Sequence, residues 1–201
     1  MLIISPVLGY EARNLLSSSW DAEKLSGIIQ DPEDWSPYPG IDERIDWEKI
    51  PEDLRKACIR AGEEALEFDW PNLPATVFIE FHLVGDRANF QGLQNSRRHA
   101  LSSLVLAEMI ENRGRFLPGI INGIWATCEE TYWGVPAHLS LQAAGSGLPD
   151  VEEPTVDLFA AETGAQLAWI NFLLKPKLEE YHPLISRRID YEIKRRILDP
   201  C

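Results

Sequence analysis

Apolar residues recur every three or four positions along most of the chain beyond residue 50, the spacing that places them on one face of an α-helix. The pattern predicts helices at about 51–70, 96–111, 118–130, 155–174 and 178–198. Residues 75–84 are rich in β-branched and aromatic side chains and are compatible with a strand, but we interpret them as a buried helix because their surroundings are helical. Strand alternation is missing elsewhere. The expected fold is therefore all-α, with antiparallel helical hairpins.

The first 50 residues follow a less regular pattern. Proline and glycine are frequent in the segment 31–40, which predicts a loop. A short helix at about 20–30, with Ser19 as its N-cap, is expected before it. The sequence therefore indicates an irregular N-terminal segment with short helices at 1–50 and a single helical domain at 51–201. A total of 201 residues suits one domain rather than two.

The charge balance narrows the possible partners. The chain has 19 basic and 32 acidic residues, a net charge of −13, which disfavours nucleic acid and also weighs against a polyanionic ligand on the average surface. No stretch approaches the ~18 apolar residues of a membrane span. Met1–Gly9 lacks the basic start and apolar core of a signal peptide. We expect a soluble cytoplasmic protein, or a secreted or periplasmic one if a signal peptide was removed.

The sequence contains no standard catalytic or cofactor-binding motif. Three widely spaced cysteines, Cys58, Cys128 and Cys201, form neither a disulfide framework nor a metal motif. The four histidines are scattered as well. We therefore assign no catalytic residue, no metal site and no cofactor from motifs.

The stretch 125–138 carries the densest set of candidate ligand-binding groups. Aromatic faces beside fixed polar groups suit a sugar, whose C–H faces stack on rings while its hydroxyls need hydrogen-bond partners. Glu129 and His138 could serve as acid and base if the fold brings them together. In the alternative interpretation the tryptophans are core residues and Glu129 belongs to a solvated helix end. The candidate substrate-binding residues of this stretch are Trp125, Glu129, Tyr132, Trp133 and His138.

The sequence contains two further clusters of polar residues that could have a functional role. Asn95 and Arg97 belong to a run of amides and arginines at 89–99 that could hold a carboxylate. The alternative, which we favour, is a helix start capped by Ser96 with arginines in salt bridges. Asp157, Glu162 and Gln166 lie near one face of an otherwise apolar helix, where we expect them to support the stretch 125–138.

Eight segments of the chain, taken in order, resemble the N-terminal half of heparinase II/III-like proteins. The resemblance covers about residues 74–198, and its collinearity is more specific than any single motif. The segments are 86–90, 97–101, 114–117, 121–130, 133–138, 148–152, 156–164 and 187–197.

This resemblance implies an incomplete α/α toroid of helical hairpins and β-elimination of uronate-containing polysaccharides. That reaction needs a group that neutralises the uronate carboxylate, a base for the C5 proton and an acid for the leaving oxygen. The family's catalytic residues are expected on later helices and in a following β domain, and none can be matched here before the chain ends at Cys201. We therefore expect a truncated lyase-like domain.

Two alternatives stay open. One is a non-catalytic carbohydrate-binding or structural half-toroid. The other is a toroid-type glycoside hydrolase, which would need two carboxylates across a cleft, such as Glu129 with Asp157 or Glu162. Because a partial toroid leaves apolar helix faces uncovered, we also expect a homo-oligomer.

Overall fold

The computed structural model describes residues 14–31 and 34–200, and within these ranges every regular element is a helix. The all-α prediction is thus confirmed. The chain divides into two compact units at Tyr38–Pro39. The first contains α1 (Leu15–Ser19) and α2 (Ala22–Ser26). Asp21 caps α2 by accepting the backbone N–H of Lys24, whereas Ser19, the expected N-cap, is the last residue of α1. The sequence-based prediction for Met1–Gly9 lies outside the described residues.

The second unit contains eight α-helices, one 3-10 helix and one turn of π-helix. The 3-10 helix spans Pro136–Leu141 and the π-helical turn spans Lys194–Leu198. The α-helices are α3 (Arg44–Glu48), α4 (Glu52–Leu66), α5 (Ala75–Phe78), α6 (Glu80–Val84), α7 (Ala88–Glu111), α8 (Leu117–Cys128), α9 (Leu158–Tyr181) and α10 (Leu184–Ile193).

Helix α7 is the centre of the second unit and packs against α4, α8 and α9. Its apolar residues recur at helical spacing, and from position 100 onward all of them except Leu106 are buried. Facing side chains from α8, α9 and α10 complete one continuous core. The fully buried members include Leu101, Leu104, Met109, Ile120, Ile124, Leu167, Leu174, Leu178 and Ile189.

A glycine sets the closest helix contact of this core. Gly62 of α4 lies against α7, and a Cβ at this position would be 2.2 Å from the Cβ of Ala107. Real carbon atoms do not approach so closely, so any side chain here would push the two helices apart. The small residues at positions 62 and 107 therefore fix the distance between α4 and α7.

A buried carboxylate organises the connection between α7 and α8. Glu108 is fully buried and accepts the backbone N–H groups of Gly114 at 2.6 Å and Phe116 at 3.1 Å. Helix α7 ends at Glu111, and its C-cap, Asn112, adopts a left-handed conformation with φ of 52°. The sequence had indicated Gly114 as the stop. Arg44 binds the carbonyl oxygens of Met109 and Ile110 at 2.7 Å, so the last turn of α7 is capped from outside.

The structure corrects several predicted boundaries. Residues 75–84 are helical, as predicted, but form the two short helices α5 and α6, and the exposed side chains of Leu83 and Val84 contradict the expectation of a buried helix. Helix α7 begins at Ala88, so Ser96 lies inside it and donates to the carbonyl of Leu93 instead of capping a helix start. Helix α9 continues through Pro176, and the break that precedes α10 falls at 182–183.

No helix in the part of the chain that the structure describes is long and apolar enough to cross a bilayer.

Candidate functional site

The segment 129–135, which follows α8, is anchored by a buried carboxylate. The side chain of Glu130 is 2% exposed and receives both Nη groups of Arg98, with an Nη1–Oε1 distance of 2.7 Å. The Nε of Arg97 lies 3.2 Å from Oε1. Arg97 also donates to the carbonyl oxygens of Pro71 and Ala126. Burial lowers the pKa of Arg97, and the charge of Glu130 opposes this effect. These contacts attach the segment to α7.

A second buried carboxylate attaches the same segment to the end of the chain. Glu192 of α10 accepts from Nε of Arg188 at 2.9 Å and from Nε of Arg196 at 2.6 Å. The Nη2 of Arg195 lies 2.6 Å from its Oε2. Burial alone would raise the pKa of Glu192, but the hydrogen bonds and charges of Arg196 and Arg195 outweigh it and leave the pKa below its ordinary value. Arg196 also donates from Nη1 to the carbonyl oxygen of Thr131, which belongs to the segment 129–135.

A polar groove of about 260 Å³ lies between α7 and α9, and we call it the α7–α9 groove. Two aromatic residues, Trp133 and Phe159, also line it. Gln166 crosses it, because its Nε2 donates to the carbonyl of Arg98 at 2.9 Å and to Oγ of Ser102 at 2.8 Å. Its buried Oε1 has no hydrogen-bond partner among the described residues. The polar lining residues are Gln94, Asn95, Arg98, Ser102, Glu162, Thr163 and Gln166.

An aspartate–histidine pair lies on the other side of Phe159. Nδ1 of His138 is 2.9 Å from Oδ2 of Asp157, and the His138 ring is 5.8 Å from the ring of Phe159. Asp157 is buried and also caps α9, since it accepts the N–H groups of Ala160 at 2.7 Å and Val135 at 3.2 Å. With Nδ1–H donated to the carboxylate, neutral His138 has its Nε2 lone pair available. The imidazole is partly exposed in a separate, open cavity.

A third cavity, of about 340 Å³, has Arg188, Arg195 and Arg196 along one wall, and we call it the arginine cavity. Residues 128–133 also line it and adjoin the arginines, since Arg188 and Arg196 donate to the carbonyl oxygen of Cys128, and residues from 149 to 155 complete the lining. Glu129, which is exposed, and Asp150 also line it. Trp133 lines both this cavity and the α7–α9 groove.

The predicted site residues are distributed over these features rather than gathered in one cleft. Trp133 is 1% exposed and donates from Nε1 to the carbonyl of Thr127, so it is a core residue. Tyr132 is buried as well, and burial raises its pKa. Trp125 is 39% exposed, with the guanidinium of Arg188 5.2 Å from its ring centre.

Glu129 lines the arginine cavity, whereas His138 lines the cavity beside Asp157. The proposed acid–base pairing of Glu129 with His138 is therefore not formed, and the partner of His138 is Asp157. Asn95 is exposed in the α7–α9 groove. Arg97 is buried against Glu130, in agreement with the salt-bridge interpretation of its cluster.

The sequence interpretation missed the groove as a unit. Gln94, Arg98 and Ser102 follow a four-residue spacing on α7, and Phe159, Glu162, Thr163 and Gln166 follow a three- and four-residue spacing on α9. This is the signal that each set occupies one helix face. Pairing the two faces requires knowledge of how α7 and α9 pack.

Across residues 14–31 and 34–200, no group of three or more His, Cys, Asp and Glu side chains is arranged to hold a metal ion. No family model matches the chain, and neither does any curated protein.

Proposed function

We propose that this chain is a saccharide-binding domain of the heparinase II/III-like polysaccharide lyase type and that the α7–α9 groove holds one sugar unit of an oligosaccharide. The observation that carries the proposal is the lining of this groove. Amide, hydroxyl and carboxylate groups face one another from two rigid helices, with Phe159 at one side. Sugar hydroxyls require such fixed donors and acceptors next to an apolar surface.

The state of the groove residues supports this function. Asn95 and Glu162 are exposed, so their polar groups are accessible to a ligand. The guanidinium of Arg98 is already neutralised by Glu130, which leaves Glu162 as the carboxylate of the groove. Gln166 is held by two hydrogen bonds through its nitrogen, which fix its side chain in the wall of the groove. A volume of about 260 Å³ is close to the lower limit of small-ligand pockets, about 300 Å³.

The sequence resemblance supplies the uronate-containing substrate class and the partial α/α toroid as further parts of the proposal. The consecutive helix pairs α7/α8 and α9/α10 pack together, as helical hairpins require. Self-association through exposed helix faces is part of the same proposal. A light-scattering series over a range of protein concentrations tests it, and a monomer at every concentration would contradict it.

An enzymatic version of the proposal is favoured by one observation, the His138–Asp157 pair. A carboxylate that holds Nδ1–H leaves Nε2 as a proton acceptor, and its charge stabilises the imidazolium that forms. In β-elimination this group would remove the C5 proton of a uronate. Without such a step the domain binds sugar and does not cleave it.

Binding and cleavage are tested in parallel. Oligosaccharides of heparan, chondroitin, alginate and pectin type, with a neutral glucan series, are titrated against the protein by calorimetry. The ultraviolet absorbance of the unsaturated product is followed in the same samples. We expect Asn95→Ala and Glu162→Gln to weaken binding about tenfold each. Glu180→Gln, an exposed position on the same helix as Glu162, is the matched control and should leave binding unchanged.

The outcomes separate the lyase from the non-catalytic version of the proposal, and both from its failure. Product formation that His138→Ala abolishes supports the lyase. Saturable binding without product supports the non-catalytic domain. If no oligosaccharide binds, or if Asn95→Ala and Glu162→Gln bind as well as the unaltered protein, the groove is not a saccharide site.

A further inference from the structure

We propose that the arginine cavity is a binding site for a small oxyanion, a carboxylate or sulfate group, independent of the saccharide groove. The first observation is an excess of cationic donors around Glu192. This single buried carboxylate contacts Arg188, Arg195 and Arg196. One carboxylate neutralises one charge, so Glu192 alone does not neutralise the three guanidinium groups, and Arg195 (40% exposed) and Arg188 (29% exposed) are partly open to solvent.

The second observation is that these arginines differ in how fully their N–H groups are used. Every nitrogen of the Arg196 guanidinium donates to Glu192 or to a backbone carbonyl. Arg188 uses Nε and Nη2, and its Nη1 has no hydrogen-bond partner in the described part of the chain. Arg195 contacts Glu192 through Nη2, while its Nε and Nη1 have no partner there. Arg196 is thus structural, and Arg188 and Arg195 keep free donors at the cavity.

The third observation is the charge balance of the surroundings. Three guanidinium groups (Arg188, Arg195 and Arg196) and three carboxylates (Glu129, Glu130 and Asp150) line the cavity, and the carboxylate of Glu192 lies behind the arginines. The lining itself is neutral, in a chain whose net charge is −13. Two of the carboxylates, Glu130 and Glu192, are buried in ion pairs, and the other two are exposed. An entering anion therefore meets free guanidinium donors and two solvated carboxylates.

The position of the donors also favours an anion. Arg195 and Arg196 belong to the π-helical turn and contact the same carboxylate, that of Glu192, at the positions i+3 and i+4 that face it along a helix. Such turns occur often at functional sites. Planar guanidinium groups bind carboxylate and sulfate oxygens through paired N–H donors. A cavity of about 340 Å³ accepts a ligand of sugar-acid size.

The test uses the whole chain and three probes: sodium glucuronate, sodium sulfate and glucose. Binding is measured by calorimetry at low and at physiological salt. We expect one equivalent of glucuronate or sulfate to bind, and glucose not to bind at this site. Arg195→Gln should weaken anion binding about tenfold, because it removes a charge-assisted donor. Glu129→Gln should strengthen it about threefold, because it removes an exposed negative charge from the cavity wall.

Arg187→Gln is the matched control, since Arg187 is exposed on α10, the helix that precedes the π-helical turn, and lines no part of the cavity. It should leave the affinity unchanged. Glucuronate binding without sulfate binding identifies a carboxylate site, and the reverse identifies a sulfate site. The proposal is overturned by a lack of saturable binding for both anions, by equal loss in Arg187→Gln and Arg195→Gln, or by an unchanged affinity in Arg195→Gln. If Arg195→Gln does not fold, Glu129→Gln decides alone, and an affinity that does not rise overturns the proposal.

A saccharide that binds through the α7–α9 groove is sensitive to Asn95→Ala and Glu162→Gln, whereas the anion is sensitive to Arg195→Gln and Glu129→Gln. Failure of one site is therefore distinguishable from failure of the other.

Discussion

Replacing Glu130 by glutamine removes the only carboxylate that forms an ion pair with Arg97 and Arg98 among the described residues, while the side chain at position 130 keeps its size. All three side chains are largely buried: the exposed fractions are 2% for Glu130, 8% for Arg97 and 14% for Arg98. Two guanidinium groups would then remain in the interior without a counter-charge. Removal of one partner from a buried ion pair costs about 3–5 kcal/mol.

This cost is a large share of the total, because domains are stable by only about 5–15 kcal/mol. We therefore expect Glu130→Gln to lower the free energy of unfolding by about 3–5 kcal/mol. In a protein of this size each kcal/mol lowers Tm by about 2–4 °C, so the melting temperature should fall by roughly 10 °C. Urea unfolding followed by circular dichroism measures the free energy, and a thermal melt measures Tm.

The neighbouring residue provides the matched control. Glu129 is exposed and makes no ion pair within the described residues, so Glu129→Gln should change the free energy by at most about 0.5 kcal/mol. A double-mutant cycle of Arg98→Gln and Glu130→Gln should give a coupling energy of about 2 kcal/mol or more. A loss below about 1 kcal/mol for Glu130→Gln, or a coupling energy near zero, would refute the view that this ion pair anchors the segment 129–135.

Three further predictions concern the core, the acid stability and the thiols. Gly62→Ala should destabilise the protein by about 1–3 kcal/mol, because the new Cβ would lie 2.2 Å from a side-chain carbon of α7. Gly92→Ala should stabilise the protein by about 0.5–1 kcal/mol, because Gly92 lies within α7 and has open space around it; urea unfolding compares the two variants. Glu192 has a lower pKa in the folded protein than the ordinary 4.5, so its contribution to stability is present above pH 4.5 and is lost as the pH falls towards the folded pKa. Below pH 4.5, the free energy of unfolding should therefore depend less on pH in Glu192→Gln than in the unaltered protein. Burial raises the pKa of the Cys128 thiol to about 12, so iodoacetamide at pH 8 should label the partly exposed Cys58 before Cys128, as mass spectrometry can show, and equal labelling rates for these two thiols would contradict this.

The helical class was predictable because apolar spacing is a local property of the chain. Apolar spacing does not predict features that depend on residues distant in sequence. Helix α7 starts at Ala88 and ends at Glu111, and its last turn is capped by Arg44, which lies 65 positions away in sequence from Met109. The exposure of Leu83 and Val84 is equally invisible to a count of apolar residues, since only the packing of neighbouring elements tells a covered face from an open one.

The candidate site was predictable in part for the same reason. The region 125–138 was selected for its residue types, and it does border the arginine cavity, the α7–α9 groove and the cavity beside His138. The sequence also indicated Asp157 as a supporting residue for this region, and Asp157 pairs with His138 over 19 positions. The hydrogen bond from Gln166 to Ser102, over 64 positions, was not predictable. A tryptophan such as Trp133 carries the same sequence signal in a core as in a sugar-binding platform, and only its burial decides between them.

The two buried carboxylates link stability with binding. Glu130 ties the segment 129–135 to α7, and Glu192 ties it to α10 and the π-helical turn. Trp133, on this segment, lines both the α7–α9 groove and the arginine cavity. The geometry of both cavities therefore depends on these ion pairs, whose arginines Arg98, Arg188 and Arg195 also line the cavities. Weakening either pair should loosen saccharide and anion binding together, whereas Asn95→Ala or Arg195→Gln changes one cavity and leaves the other intact.

The net charge of −13 acts over longer distances, and salt at physiological strength screens it beyond about 8 Å. Guanidinium groups in direct contact with an anion are screened much less, so a genuine anion at the arginine cavity should keep more of its affinity in salt than one attracted to an exposed basic patch.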